Sequence, residues 1–213
     1  MTSKKNTGFF ITLEGGEGAG KSTNLEYIQN KFIDAGFQVL ITREPGGTKV
    51  GENIRELLLH ARGQSISGDT ELILMFAARM QHLHEIIEPA LLQGKIVICD
   101  RFTDATFAYQ GGGRGIPDER INTLKQWVQQ GREPDLTLLF DLPIEQGLER
   151  ANNRSSPDRF EKESLVFFKR VREKYLDIAE REPNRVKVID SDKTSDVVHK
   201  QLDVILDKVL DRL

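Results

Sequence analysis

A chain of 213 residues, 38% hydrophobic and 30% charged, is long enough for one generous domain with a buried core and too short for two ordinary ones. Its formal net charge of −3 argues against a dedicated nucleic-acid binder, and no stretch approaches the ~20 apolar residues of a membrane span. The lone cysteine, Cys99, cannot close an internal disulfide, and the first apolar run stops at Glu14, too short for a signal peptide, so a cytoplasmic setting without nucleic acid or membrane is expected.

In chain order, the β-favouring run Phe9–Glu14 enters a loop of Gly15, Gly16, Glu17, Gly18, Ala19, Gly20, Lys21, Ser22 and Thr23. The spacing G-x-x-x-x-G-K-S is a complete Walker A phosphate loop. Glycines let backbone N–H groups turn inward around a phosphate chain, a helix starting near Lys21 adds its positive end, and the lysine supplies a mobile charge. Ser22 would offer its hydroxyl to Mg²⁺. Helical spacing then runs from Asn24 to Ala35, with Gly36 as its C-terminal stop, and Gln38–Thr42 predicts a second strand. That strand delivers Arg43 to the sheet end where α/β proteins gather ligands. An exposed arginine near a turn is the bland alternative.

A helix is expected over Gly51–Ala61, carrying Arg55 away from most of its apolar residues, and a longer one over Thr70–Gln93, bent or broken at Pro89. Arg79 interrupts the most apolar part of the latter, which demands that it snorkel out or face an anion. Lys95–Asp100 has the continuous apolar character of a buried parallel strand ending in a carboxylate, with Arg101 next and Cys99 as a small buried hydrophobe. Phe102–Gln110 leads into a glycine-rich run, Gly111-Gly112-Gly113-Arg114-Gly115, expected as a flexible loop before a helix over Pro117–Gln130. Leu136–Leu142 is the fourth strand, and Pro143 opens a helix toward Ala151. The polar stretch about 150–160, with Arg150, Arg154 and Arg159, has the composition of a lid. A helix over Phe160–Ala179, a fifth strand at Val186–Asp190 and a helix over Ser195–Leu213 complete an alternation that implies an α/β fold, a five-stranded parallel sheet with helices on both faces in a single domain spanning 1–213. The histidines His60, His82, His84 and His199 have no metal-site spacing.

Arginines after or between elements that converge at one sheet end, with more in a lid, are what phosphoryl transfer to a phosphorylated acceptor needs: charge on both phosphates and exclusion of water. The fourth strand ends Phe140-Asp141-Leu142-Pro143, without the N-K-x-D element of a GTPase. Over nearly its whole length the chain resembles thymidylate kinases of the bacterial branch. The resemblance rests on Glu14–Thr23, on Thr42-Arg43-Glu44-Pro45-Gly46-Gly47, on Asp100-Arg101-Phe102 and on Ala108-Tyr109-Gln110-Gly111. It implies the P-loop nucleoside monophosphate kinase fold and transfer of the ATP γ-phosphoryl group to dTMP, with Mg²⁺ and as a homodimer. By the same resemblance, Lys21 and the loop amides hold ATP, Ser22 and Asp100 lie at the metal, and Glu17 faces the sugar 3′-hydroxyl. Arg43 and Arg101 clamp the acceptor phosphate, Arg55 and Arg79 meet the phosphate or the thymine edge, Thr106 and Gln110 read the base, and Tyr109 packs on the sugar.

Some relatives carry an arginine inside the phosphate loop where this chain has Gly18, which hands the transition-state charge to the lid: Arg154 first, Arg159 and Arg150 as alternatives. Many relatives stack a phenylalanine on thymine four residues before the arginine matching Arg79. Here that position is Met75 and Phe76 follows, so either could touch the base. The competing readings are another nucleoside monophosphate kinase, a deoxynucleoside kinase, or a regulatory protein that binds ATP without turnover.

Overall fold

The computed structural model describes residues 8–60, 65–152 and 159–213. Five parallel strands, β1 (Phe9–Gly15), β2 (Val39–Arg43), β3 (Ile96–Asp100), β4 (Leu136–Asp141) and β5 (Val186–Asp190), form one sheet in the order β2-β3-β1-β4-β5. The phosphate-loop strand is thus central. Its register sets Leu13 beside Asp100, and β2 sets Arg43 beside Asp100 from the other side, so three candidate segments end at one edge.

Helices α1 (Lys21–Asp34) and α9 (Ser195–Leu210) cover one face, where Ile28, Phe32, Leu202 and Leu206 pack on Ile11, Leu13, Ile96 and Ile98. The other face carries α2 (Lys49–His60), α3 (Gly68–His82), α6 (Asp118–Gln129) and α8 (Leu165–Arg181). There Phe76, Ile87 and Ile121 meet Phe10, Val97 and Cys99. Alternating strand residues therefore serve two cores, as a sheet covered on both sides requires. Gly36, at φ 90°, stops α1 as the sequence expects, with the Phe37 N–H closing onto the Phe32 carbonyl at 3.0 Å.

Three expectations are corrected. The long helix does not break at Pro89. Instead α3 passes through a π-helical turn, Leu83–Ile87, into α4 (Glu88–Leu92), which takes Pro89 within its first turn, where a missing N–H costs little. The glycine run is not a flexible loop either. A short helix α5 (Thr103–Thr106) continues as a π-helix, Phe107–Gly113, pressed against α8. A Cβ on Gly113 would lie 2.4 Å from the Phe167 ring, and one on Gly112 2.8 Å from the Arg170 carbonyl. Glycine is there for close approach rather than for mobility. The final connection, α7 (Ile144–Asn152), precedes the expected lid, and α8 begins at Leu165 under a Ser164 cap rather than at Phe160.

Candidate active site

β1 ends at Gly15, the loop turns through Gly16–Gly20, and α1 begins at Lys21 with Gly20 at φ 90° before it. Ser22 and Thr23 are exposed in the first helical turn. The Lys21 ammonium donates to the carbonyls of Gly15 and Gly16, each at 2.9 Å. Burial first, then the Arg101 charge, brings its pKa down to about 8, against the opposing pull of Glu17, Asp100 and Glu14. Gly18 has a structural reason as well: at φ 66° a Cβ would lie 2.1 Å from the Gly147 carbonyl of α7. No side chain fits there, so the loop and α7 meet glycine to glycine.

Beside the loop lies an open cleft lined by Glu17, Arg43, Arg55, Met75, Arg79, Asp100, Arg101, Thr106, Tyr109 and Gln110, together with Phe160. The structure thus brings together residues from β2, β3, α2, α3, the π-helix and the end of the lid segment. Of the two candidates for base contact, Met75 lines the cleft, whereas Phe76 points into the core at 2% exposure. The Phe76 ring instead sits 4.8 Å from the Arg79 guanidinium. This corrects the expectation that Phe76 could touch the base: at helical spacing the two neighbours diverge by about 100°, and the core takes Phe76.

Arg79 faces an anion, and that anion is Glu44. Its Nε donates to Glu44 at 2.7 Å, its Nη2 to the Thr106 hydroxyl at 3.0 Å, and its buried Nη1 has no partner among the described residues. The other Glu44 oxygen faces His82 Nδ1 at 3.0 Å, and His82 Nε2 meets Thr42 at 2.6 Å, so His82 is a satisfied core residue. A buried pair of this kind is costly to break, by about 3–5 kcal/mol when one partner is removed. At the other end of the cleft Arg43 pairs with Glu52 at 2.9 Å, and Arg55 donates to the Pro45 carbonyl at 2.9 Å. Burial and the nearby Arg43 and Arg101 charges outweigh Glu52 and Asp100 and hold Arg55 below its ordinary pKa. Three guanidinium groups crowding one another in a half-buried cleft call for an anion.

Arg101 has a left-handed backbone, φ 69°, strained by roughly 1–3 kcal/mol for a non-glycine residue. Its N–H donates to the Leu13 carbonyl (2.9 Å), its own carbonyl accepts from Cys99 Sγ (3.0 Å), and the following Phe102 N–H donates to Glu14 (2.7 Å). So held, its guanidinium donates to Glu17 at 2.8 Å and to the Gly15 carbonyl at 2.9 Å. Tyr109 donates to the same Glu17 oxygen at 2.7 Å while its ring lies 5.0 Å under the Arg101 guanidinium. Burial alone would raise the Glu17 carboxyl; Arg101, Lys21 and the Tyr109 hydroxyl outweigh it and keep the pKa below the usual value. Glu14, fully buried, is pushed up to about 7, by desolvation first and Asp104 next, despite Arg101 and its bonds from Tyr175 and Phe102.

Among the lid arginines, Arg154 lies outside the described residues. Arg159, at the end of the segment expected as a lid, donates to the Leu58 carbonyl at the end of α2 (2.7 Å) and to Glu71 (2.6 Å), tying the chain there to α2 and α3. Arg150 is exposed and meets the Ser191 carbonyl at 3.4 Å. Sequence reasoning missed the supporting acids Glu14, Glu44 and Glu71 and the Tyr175 hydroxyl that donates to Glu14 at 2.7 Å. For Glu71 a signal existed: Glu71, Met75, Arg79 and His82 share one stripe of α3 that also holds Leu72, and polar residues on an apolar face need partners.

A phosphate loop, an arginine-crowded cleft beside it and a buried donor left over at the far end describe a site for two phosphorylated ligands. The comparisons agree. The family model described as thymidylate kinase matches residues 13–202. Curated thymidylate kinases of Pseudomonas putida (strain GB-1) and Pseudomonas syringae pv. tomato (strain ATCC BAA-871 / DC3000) are 53% identical over 206 residues and 56% identical over 205. These alignments cover 97% and 96% of this chain and 98% of each relative. The crystal structure of thymidylate kinase from Ehrlichia chaffeensis superposes with a TM-score of 0.72 at 35% identity, over 93% of this chain and 98% of that one. Matched in sequence, fold and length alike, the chain belongs to the thymidylate kinase family.

Proposed function

We propose the following division of labour for the reaction of this family, transfer of the ATP γ-phosphoryl group to dTMP to give dTDP and ADP. The observation that carries it is the cleft itself, with Arg43, Arg55 and Arg101 at the end beside the phosphate loop and the unpartnered Arg79 Nη1 at the other. Lys21 leaves its two carbonyls for the β- and γ-phosphates, and the amides of Gly15–Thr23 cradle the rest of the triphosphate. Arg43, Arg55 and Arg101 take the acceptor phosphate, relieving their mutual repulsion. Glu17 spends Oε1 on Arg101 and Tyr109, which leaves Oε2 to accept from the sugar 3′-hydroxyl. Tyr109 packs beside the sugar, Met75 lies against the base, and Arg79, Thr106 and Gln110 read its edge.

Mg²⁺ fits the residues present. Asp100 ends β3 with Oδ1 buried and unbonded among the described residues, and Ser22 opens α1. Magnesium is commonly held by one or two protein oxygens together with phosphates and water, so this donor set suffices. Bound there, the ion would neutralise charge on the transferring phosphates. Arg154 is our choice for the transition-state charge, an assignment that stands on the sequence; Arg159 is committed to Glu71 and Leu58. An Arg154→Ala enzyme is expected to lose about 10³-fold in kcat with ATP affinity little changed, and unchanged turnover would overturn the choice.

The same reading takes the chain as one domain in the cytoplasm, in keeping with the buried free thiol of Cys99 and with the lack, among the described residues, of a helix long and apolar enough to cross a membrane. It also takes a homodimer, supported by an apolar outer face on α2, α3 and α6. ADP release measured with ATP plus each of dTMP, dUMP, UMP, CMP and AMP tests the reading. dTMP is expected to stimulate most, and no stimulation by dTMP would overturn it.

A further inference from the structure

Glu71, in the first turn of α3, is fully buried and does not itself line the cleft. One of its oxygens accepts from Gln110 Nε2 at 2.7 Å and from Arg114 Nε at 3.3 Å; the other accepts from Arg159 Nη2 at 2.6 Å and Arg114 Nη2 at 3.3 Å. Its two oxygens sit in ion pairs with Arg114 and Arg159, so both are set as acceptors. That settles the Gln110 amide. Its NH₂ must face Glu71, because the flipped amide would set a carbonyl oxygen against a buried carboxylate. The Gln110 carbonyl is therefore turned the other way, and Gln110 is itself 1% exposed at the wall of the cleft.

The same wall carries Arg79, whose Nε and Nη2 are spent on Glu44 and Thr106 and whose buried Nη1 has no partner among the described residues. Arg79, which can only donate, and Gln110, with its carbonyl left over, thus line the cleft together, each held by a buried acid: Arg79 by Glu44 and Gln110 by Glu71. A pyrimidine with a 4-carbonyl and an N3–H matches this pair. A cytosine reverses both groups, with a 4-amino donor toward Arg79 and a bare N3 toward the Gln110 carbonyl.

We propose that Glu71 is a positioning residue for base specificity, holding the Gln110 amide in the one orientation that accepts thymine and rejects cytosine. The inference rests on the assignment of the cleft to dTMP. Glu71 also ties Arg159, so the residue that orients the base reader anchors the end of the lid segment as well.

The test is the ratio of kcat/KM for dTMP to that for dCMP in the wild type, Glu71→Gln and Arg159→Lys. Glutamine at 71 keeps the shape but can donate to a flipped Gln110 carbonyl, so both amide orientations become satisfied. The dTMP to dCMP ratio is expected to fall by about tenfold or more, carried by KM rather than kcat, as for a reversed hydrogen bond in a desolvated site. Arg159→Lys removes the forked contact without touching Gln110, and is expected to lower kcat with the ratio unchanged. A ratio unmoved in a folded Glu71→Gln protein, or moved equally by Arg159→Lys, would overturn the proposal. Should Glu71→Gln not fold, side-chain amide NMR of the wild type decides: nuclear Overhauser contacts from the Gln110 NH₂ protons to Glu71 support it, and contacts only to cleft residues overturn it. Wild-type turnover of dTMP in the same assay tests the substrate assignment separately.

Discussion

Lys21 carries the most testable charge in the molecule. Burial and Arg101 bring it down to about 8 in the free protein. Phosphate oxygens beside the ammonium raise that value, so above pH 8 ATP binding must draw a proton onto Lys21. ATP affinity is therefore indifferent to this group below about pH 8 and declines above it, by up to about tenfold per pH unit. Calorimetric titration from pH 7 to 9.5, in buffers of different ionisation enthalpy, would show the decline and the proton uptake together. Lys21→Met should bind ATP more weakly and lack that limb; parallel profiles would refute the linkage. The same depression means the unfolded chain binds more protons between about 8 and 10.5, so the Lys21 contribution to stability rises with pH across that window. At this scale the sequence was legible wherever a motif names the residue that touches the ligand. Glu44 was visible only as part of a block, and Glu71 only as a polar residue on an apolar stripe, because their task is to hold Arg79 and Gln110 across 35 and 39 residues of chain, a pairing no local spacing encodes.

Elements were legible through periodicity, and the departures come from packing. Strand β3 has its partners on both sides, hence its unbroken apolar run. The π-helix Phe107–Gly113 escaped because three glycines suggest a loop, while here Gly112 and Gly113 let α8 approach until Lys174 and Phe167 occupy the space of absent side chains. Gly113→Ala would have to displace the Phe167 ring. Overpacking of this kind costs about 1–3 kcal/mol, which lowers Tm by about 4–8 °C for a loss of 2 kcal/mol in a chain of this size. Because Tyr109 and Gln110 stand on the same π-helix, KM for dTMP should rise in parallel while KM for ATP holds. Gly147→Ala is the complement. Its Cβ would lie 2.5 Å from the Glu17 carbonyl, on the phosphate-loop side, so ATP binding should weaken along with sugar recognition. Thermal melts and separate KM values for the two substrates distinguish these outcomes, and a Gly113→Ala enzyme with wild-type Tm would show that the contact yields.

The whole molecule places its chemistry at one sheet edge and leaves an apolar surface at its back. Along α3, Ile73, Ala77 and Met80 form one exposed stripe opposite the buried stripe of Glu71, Arg79 and His82; Val50 and Leu57 of α2 and Trp127 of α6 are exposed on the neighbouring helices, Ile73 at 58% and Trp127 at 69%. Water-facing apolar rows on adjacent helices mark an interaction surface rather than chance. A self-complementary contact between two copies would cover it, needing about 1,200–2,000 Å² in total to be stable. The inner face of α3 carries Met75 and Arg79, proposed above to meet the base, so a partner pressed on the outer face would brace the site from behind. Light scattering is expected to give twice the chain mass for the wild type and the chain mass for Ile73→Glu, whose buried carboxylate in such a contact would have no counter-charge. The monomeric variant should retain its fold by circular dichroism, bind dTMP several-fold more weakly and bind ATP nearly as before, since α1 and the phosphate loop lie on the far side of the sheet edge from α3. A wild-type monomer would remove the dimer from the mechanism. A dimeric Ile73→Glu would move the interface to another face of the protein.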